Sequence, residues 1–423
     1  TADVSGAELR PAFVVDRLLT LFPELRIEHE GTDKAYRLTA RIPALETAGT
    51  APGGILWRYF ADDEVLAPPM AAMERAAALK RGSLSRSAVQ ALYGERISMS
   101  ASRVERLRSC HFAYFMEYGL KAKARRAAAF DAPQIGTFLH YLLEHVTKDG
   151  FAAVGEEDLH ALVRRYIEQY AAEVLQNLEG RNARFWYLFA RLRNTAYAVV
   201  DQIAEEMRCS DFVPLAFELS FGERGELPAV TVSEPDAELR IGGKVDRVDG
   251  WVKDNRLYLR VVDYKSGKKA FDLAAVRMGL DIQMLLYLFA LKKEGKQRFG
   301  MDIEPAGVLY LPARDEILSA ERNITPEQLQ SQREKELRRT GLLLSEPEVL
   351  QAMEHEALQS PRFLPVRVNR EGDVSGALAS ADQLGRLGQY VERLLHQIAR
   401  EVRDGNIDAD PCCHNEDDSF CKY

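Results

Sequence analysis

Gly242-Gly-Lys-Val-Asp246-Arg-Val-Asp249-Gly-Trp-Val-Lys253, followed by Asp254-Asn255 and then Arg256-Leu-Tyr-Leu-Arg-Val-Val-Asp263-Tyr264-Lys265, is the stretch that decides the fold. Leu239 to Val252 and Arg256 to Lys265 are rich in β-branched and aromatic residues, and Asp254-Asn255 between them suits a tight turn. With that pair at the turn centre, Asp246 falls directly opposite Asp263. Directly opposed residues share a face of the hairpin with Cβ atoms roughly 5 Å apart. Lys265, two residues beyond Asp263, points the same way.

Two carboxylates at that separation repel, and one takes up a proton unless a cation lies between them. Their hard oxygens favour Mg²⁺ or Mn²⁺, which activates water and offsets charge on a phosphate, while an ammonium such as Lys265 stabilises the transition state. The competing reading is a surface hairpin with ordinary exposed ion pairs, because Asp-x-Lys is a common tripeptide. Two helices weigh against it. Ala270 to Leu291 has helical periodicity, with Gln283 and Tyr287 at i and i+4 on one face. Pro133 to Val146 also reads as a helix, in which Gly136 and His140 stand four apart among Phe138, Leu139, Leu142, Leu143 and Val146.

Gly136-x-x-x-His140, Glu218 on the strand Leu215 to Phe221, Gly243-x-x-Asp246-Arg-x-Asp249, Asp263-Tyr264-Lys265 and Gln283-x-x-x-Tyr287 occur in an order that resembles the RecB-family nucleases of the PD-(D/E)XK superfamily. The resemblance implies an α/β fold: a restriction-endonuclease-like mixed sheet flanked by helices, with large helical insertions. It implies that His140, Asp246 and Asp263 ligate Mg²⁺ or Mn²⁺ with help from the Tyr264 carbonyl. Lys265 is then the catalytic lysine, and Gln283 and Tyr287 support the site or the DNA backbone. Glu218 remains open between this site and a structural salt bridge.

Ala91-Leu-Tyr-Gly94, Ile97-Ser-Met-Ser100-Ala-Ser-Arg103 and Cys110-His-Phe-Ala-Tyr-Phe115 resemble the segment leading into the nuclease domain of the B subunit of AddAB-type ATP-dependent helicase-nucleases. Phe363 to Arg367 and Gly405 to Pro411 resemble later segments of the same protein family. On this resemblance, residues 1–96 are the remainder of a preceding helicase-like region and 97–423 the nuclease domain. The implied function is cytoplasmic resection of double-strand breaks for recombination, cutting the 5′-ended strand, with DNA and a motor-bearing A subunit as partners. A stand-alone or CRISPR-adaptation RecB-like exonuclease shares the motifs, and a catalytically silent DNA-binding scaffold could retain the fold. No Gly-x-x-x-x-Gly-Lys-[Ser/Thr] loop is present, so ATP hydrolysis is expected from the partner.

The resemblance also implies a 4Fe-4S cluster held by four cysteines, with Cys110 as the upstream ligand and Cys421 opening a downstream Cys-x-x-Cys. His111 stands where the family has proline, and the expectation is a chain cut short of the full cluster motif. Cys412 and Cys413 are the alternative thiolates, since a cubane cluster needs four, and Cys209 reads as a bystander.

At 423 residues and 46% apolar content the chain can bury more than one core, and no apolar run approaches the roughly 20 residues a membrane span needs. A net charge of −8 argues against diffuse attraction to DNA and directs attention to local basic clusters. The densest holds Arg103, Arg106 and Arg108, then Lys121, Lys123, Arg125 and Arg126, the candidate DNA contacts, although a solvated charged face explains them equally. Elsewhere the patterns predict helices at Leu9 to Leu21, Pro69 to Arg81, Ser100 to Glu117, Thr325 to Arg339 and Ala381 to Arg403, and a pair between Leu159 and Cys209 broken near Gly180. Tyr36 to Ile42 and Ala306 to Leu311 read as strands, Thr47 to Gly54 as a loop, and the Phe185 to Phe189 aromatics as core.

Overall fold

Asp254 and Asn255 both adopt left-handed backbone (φ 47° and 60°), the geometry of a two-residue hairpin turn whose twist matches that of the strands it joins. The computed structural model describes residues 13–25, 38–50, 53–78, 82–122, 132–149, 155–173, 183–314, 324–415 and 418–419. Two compact units are present, Thr1–Arg81 and Gly82–Tyr423.

Four α-helices are described in the first unit, and no strand among its described residues: α1 (Phe13–Leu21), α2 (Arg41–Gly49), α3 (Ile55–Tyr59) and α4 (Ala67–Ala78). Ala48, Trp57, Leu66 and Met70 form its core, and the Trp57 indole donates to Glu74 Oε1 at 2.7 Å. The strand expected at Tyr36 to Ile42 is not formed by its described part, because residues from Arg41 onward enter α2, as does the first part of the expected Thr47 to Gly54 loop. Pro43 in the first helical turn removes an N–H that needs no partner there, and Ala44, Thr47 and Ala48 are buried. That burial outweighs the β-branched composition.

In the second unit, α5 (Arg86–Tyr93) leads to strand β1 (Arg96–Ser100), then α6 (Ala101–Ser109), α7 (His111–Tyr114), α8 (Ala132–Lys148), α9 (Glu156–Glu173) and α10 (Ala183–Arg208). Four strands follow, β2 (Val213–Phe221), β3 (Val230–Glu234), β4 (Ala237–Lys253) and β5 (Arg256–Lys265). The chain continues through α11 (Leu273–Met278), α12 (Gln283–Glu294), α13 (Lys296–Phe299), β6 (Asp302–Pro312), α14 (Pro326–Glu336), β7 (Thr340–Leu344) and α15 (Pro347–Met353). A small hairpin of β8 (Val366–Val368) and β9 (Val374–Gly376), a short β10 (Leu378–Ala379), the long α16 (Ala381–Arg403) and a two-stranded pair of β11 (Cys413–Asn415) and β12 (Asp418–Ser419) follow. No described helix is long and apolar enough to cross a membrane.

The mixed sheet runs β1-β4-β5-β6-β7-β10, with β2 and β3 also paired to β4. β4 is the organising strand: its first half pairs with β1 and β3, its second with β2 and β5. β5 and β6 are parallel, which requires a crossover, and α11 and α12 provide it. The helix expected from Ala270 to Leu291 is therefore two, divided at Gly279 in left-handed conformation (φ 85°). Both faces of the sheet are covered, so β5 is buried at nearly every position and β6 likewise. Arg247, Asp249 and Arg260 lie inside with them, fully buried on the face beneath α10.

The helix expected over Ser100 to Glu117 breaks at Cys110, whose backbone is extended, and resumes as α7 and a π-turn over Phe115–Gly119. The Phe185 to Phe189 cluster divides: Phe189 packs on Phe138 at 6.1 Å, whereas Trp186 and Tyr187 are exposed. The side chain of Phe185 lies outside the described residues.

Candidate metal centre

The hairpin has the register read from its turn, from Lys253 opposite Arg256 to Arg247 opposite Val262. One step further the backbone ladder stops. Instead of a main-chain partner, the Tyr264 N–H donates to Asp246 Oδ2 at 2.8 Å, so the carboxylate itself closes the strand gap. On the other flank of β4, Glu218 sits between the pairs Phe217 to Arg247 and Leu219 to Val245, opposite Asp246. Its backbone is left-handed (φ 50°), a conformation that costs of order 1 kcal/mol or more in a residue with a side chain and that collects at functional sites.

His140 on α8 reaches this point from the covering helical layer. Its Nδ1 lies 3.3 Å from Asp246 Oδ1 and 3.8 Å from Glu218 Oε1, and Nε2 donates to the Tyr264 carbonyl at 3.3 Å. Donor atoms of His140, Glu218 and Asp246 all lie within 4.8 Å of one another. Burial works against an imidazolium there, but hydrogen bonds to Asp246 and Glu218 and their charges push His140 up to about 10. Asp263 is 7% exposed; burial, then the Asp246 charge, pushes it up to about 6. Lys265 Nζ stands 2.6 Å from its Oδ2. Lys244 Nζ stands 2.6 Å from Glu218 Oε2. Burial opposes ionisation of Glu218, yet His140 and Lys244 together hold it below its ordinary value.

Cations thus crowd a set of carboxylates that would otherwise repel. Two carboxylates and, once a cation displaces its proton, the His140 imidazole lie within ligand reach of one another with the Tyr264 carbonyl and Asp263 beside them, a donor set that suits Mg²⁺ or Mn²⁺.

Gln283 and Tyr287 brace β4 two residues before Asp246. The Tyr287 ring stacks on Phe221 at 5.4 Å, and its hydroxyl is hydrogen-bonded to the Lys244 backbone and the Gln283 side chain. Gln283 opens α12, and its N–H donates to Glu105 Oε1 at 3.4 Å. Burial, then the charge of Asp281, raises Glu105, a residue that no motif picks out.

The described basic candidates of the connecting segment do not gather here. Arg106 pairs with Glu117 at 3.0 Å, Arg103 lies over the Tyr118 ring at 4.8 Å, and Arg108 bonds Glu401 and the Met278 carbonyl. Lys121 is exposed with φ 56°; Lys123, Arg125 and Arg126 lie outside the described residues.

Cys110 is buried, and the neighbouring backbone is stitched to the C-terminal segment: Cys412 N–H donates to the Ser109 carbonyl at 2.9 Å and Phe112 N–H to Asp408 at 2.9 Å. His111, in the proline position of the resemblance, bonds Asp410 at 2.7 Å and Glu401 at 3.2 Å. Cys412 Sγ lies 3.3 Å from Met278 Sδ. Cys421 and the Cys413 side chain lie outside the described residues. Cys209, half-buried, follows α10, and its carbonyl accepts from the His355 N–H at 2.8 Å.

Sequence reading missed the buried charge network on the opposite face of the hairpin. Arg260 Nε bonds Asp249 at 2.9 Å, Arg247 Nη2 bonds Asp249 at 3.0 Å and the Tyr264 hydroxyl is 3.2 Å from Arg247. Glu206 on α10 bonds Arg339 at 2.6 Å and Arg260 at 3.4 Å. The Arg247 and Asp249 of the hairpin motif thus anchor Tyr264, whose carbonyl and N–H serve the site.

A mixed sheet carrying Asp246, Asp263 and Lys265 on one hairpin, with a histidine delivered by the covering helix, defines a nuclease of the PD-(D/E)XK type, and the pattern of that superfamily matches residues 98–423. The chain belongs to the PD-(D/E)XK nuclease superfamily. Among individual proteins it is similar to the B subunit of the ATP-dependent helicase/deoxyribonuclease of Clostridium perfringens, 30% identical across all of this chain and 39% of that protein. The proteins of the same name from Acetivibrio thermocellus (31% identical, all of this chain, 39% of that protein) and a Thermoanaerobacter species (33% identical, 79% of this chain, 30% of that protein) are also similar. The chain therefore spans about two fifths of the length of the first of these relatives.

Proposed function

We propose that this chain is the DNA-cutting module of the B subunit of a helicase-nuclease, hydrolysing phosphodiester bonds at His140, Glu218, Asp246, Asp263 and Lys265. The observation that carries the reading is the convergence of the His140, Glu218 and Asp246 donors beside the Asp263–Lys265 pair. When bound, Mg²⁺ or Mn²⁺ supplies an activated water and offsets charge on the phosphate. Asp263 holds the Lys265 ammonium where negative charge grows on the scissile phosphate. Gln283 and Tyr287 hold the backbone at Lys244 in place, and the buried arginines fix Tyr264 from the other face.

The wider assignments rest on the family resemblance of the sequence motifs. They are a motor-bearing A subunit as partner, resection of broken DNA, cutting of the 5′-ended strand and a 4Fe-4S cluster including Cys110 and Cys421. Residues 1–96 are assigned to the preceding helicase-like region and 97–423 to the nuclease domain. The test is cleavage of single-stranded DNA with Mg²⁺ by Asp263→Ala and Lys265→Ala: both abolish cutting while melting stays cooperative. Retained cutting in either removes the site assignment.

A further inference from the structure

Beside Lys265, beyond the end of β5, lies a cavity of about 830 Å³ whose lining holds eight basic residues and one acidic one, Glu336. In a chain with a net charge of −8 that concentration is local, not compositional. Besides Lys265 at the end of β5, it comes from the loop after β5 (Lys268, Lys269), the segment after β6 (Arg314), α14 (Lys335), the approach to β7 (Arg338, Arg339) and β8 (Arg367).

Some of this charge is already committed. Arg339 belongs to the buried pair with Glu206, and Arg338 donates to the carbonyls of Pro361 (2.8 Å) and Val366 (3.3 Å). Lys269 pairs with Asp281, and Arg314 donates to the Gly267 carbonyl at 2.7 Å. Lys268 pairs with Glu336 at 2.8 Å, but both side chains are exposed, 71% and 46%, where an anion can exchange with the carboxylate at little cost. Lys335 and Arg367 are exposed and make no ion pair among the described residues.

We infer that this trough is the track for the phosphate backbone of one DNA strand running on from the bond being cut, with Lys335 and Arg367 as its main phosphate contacts. The inference rests on the proposed nuclease centre, because the trough and that centre share Lys265. Cavities of roughly 300–1,000 Å³ hold ligands of drug size, a nucleotide or two of a single strand and far less than a duplex. Tyr310, the aromatic side chain of the lining, is 4% exposed with Lys265 and Lys269 over its ring at 5.7 and 5.8 Å. It offers no open face for base stacking, so the track reads charge and not sequence.

The test is binding of a fluorescent single-stranded oligonucleotide by the full chain in EDTA, followed by anisotropy across a salt series. Lys335→Ala/Arg367→Ala should weaken binding roughly tenfold near 0.1 M salt and make the log-log salt slope shallower by about 1.4, since each single-strand phosphate contact contributes about 0.7. Lys292→Ala/Lys293→Ala, the same charge change on α12, should leave both unchanged. Equal losses in the two double variants would reveal bulk charge and overturn the track, as would unchanged binding in the first. The readings fail separately. Intact binding in the first variant with cutting lost in Asp263→Ala removes the track and keeps the nuclease centre. Lost binding with cutting retained in Asp263→Ala removes the centre, and the trough is then an anion site without a role in cleavage.

Discussion

The hydroxyl of Tyr287 occupies the space that a side chain at residue 243 would fill, so Gly243 is the position at which α12 touches β4 directly. Burial pushes this phenol up to about 12, keeping it a neutral partner for Lys244 and Gln283. Gly243→Ala forces either the ring or the strand to move, and the strand carries Asp246 three residues on. Overpacking of this kind costs about 1–3 kcal/mol. The variant should melt earlier and lose cleavage, and Tyr287→Phe added to it should restore part of the stability. Additive losses in that double-mutant cycle, with no coupling, would show that the contact does not determine the strand position.

Glu218 holds a left-handed backbone to face His140 and Asp246, and an exposed structural salt bridge with Lys244 would not need that conformation. The prediction is that Mn²⁺ or Mg²⁺ raises the melting temperature of the wild type, by an amount corresponding to about 2.7 kcal/mol at a hundredfold excess over the dissociation constant. Asp246→Asn should abolish this rise. Glu218→Gln should shift the metal concentration needed by roughly 10–100-fold. A metal response in Glu218→Gln indistinguishable from wild type would return Glu218 to a purely structural role.

The hairpin register was legible because its turn residues tolerate positive φ and the side-chain period of a strand is two; a one-residue slip would have moved Asp246 off the face of Asp263. The helix from Ala381 to Arg403 was legible end to end, with Ser380 and Gln383 forming a capping box at its start. β1 was not. It is five residues long with Arg and Ser at alternate positions, and it is a strand because β4, far along the chain, pairs with it in parallel. Glu218 could be placed on a strand from sequence but not resolved to a role, since its strained backbone and its approach to His140 are tertiary facts. The buried arginines were least visible: Arg260 meets Glu206 across 54 residues and Arg339 meets it across 133, and no local spacing encodes either pairing.

That network gives a stability prediction. Glu206→Gln leaves the Arg339 guanidinium buried without its counter-charge and Arg260 with Asp249 alone, and breaking a buried pair by removing one partner costs about 3–5 kcal/mol. Chemical denaturation should show that loss. Glu206→Gln combined with Arg339→Met, which removes an orphaned charge as well, should recover part of it. If the double variant is no better than the single, desolvated charge is not the cause.

The same carboxyl predicts a pH dependence with a defined sign. Burial alone would raise Glu206, but Arg339, Arg260 and Arg247, with Asp249 shared between the latter two, outweigh it and hold the carboxyl at about 2 against an ordinary 4.5. A depressed acid contributes stability that is fully present above its unfolded value and disappears as pH falls through its folded one. The stability gap between wild type and Glu206→Gln should therefore be constant above about pH 5 and narrow as pH falls from 4.5 toward 2. Denaturant melts at pH 7, 4.5 and 3 measure it, and a gap that widens on acidification would place the ionised form of Glu206 outside the network.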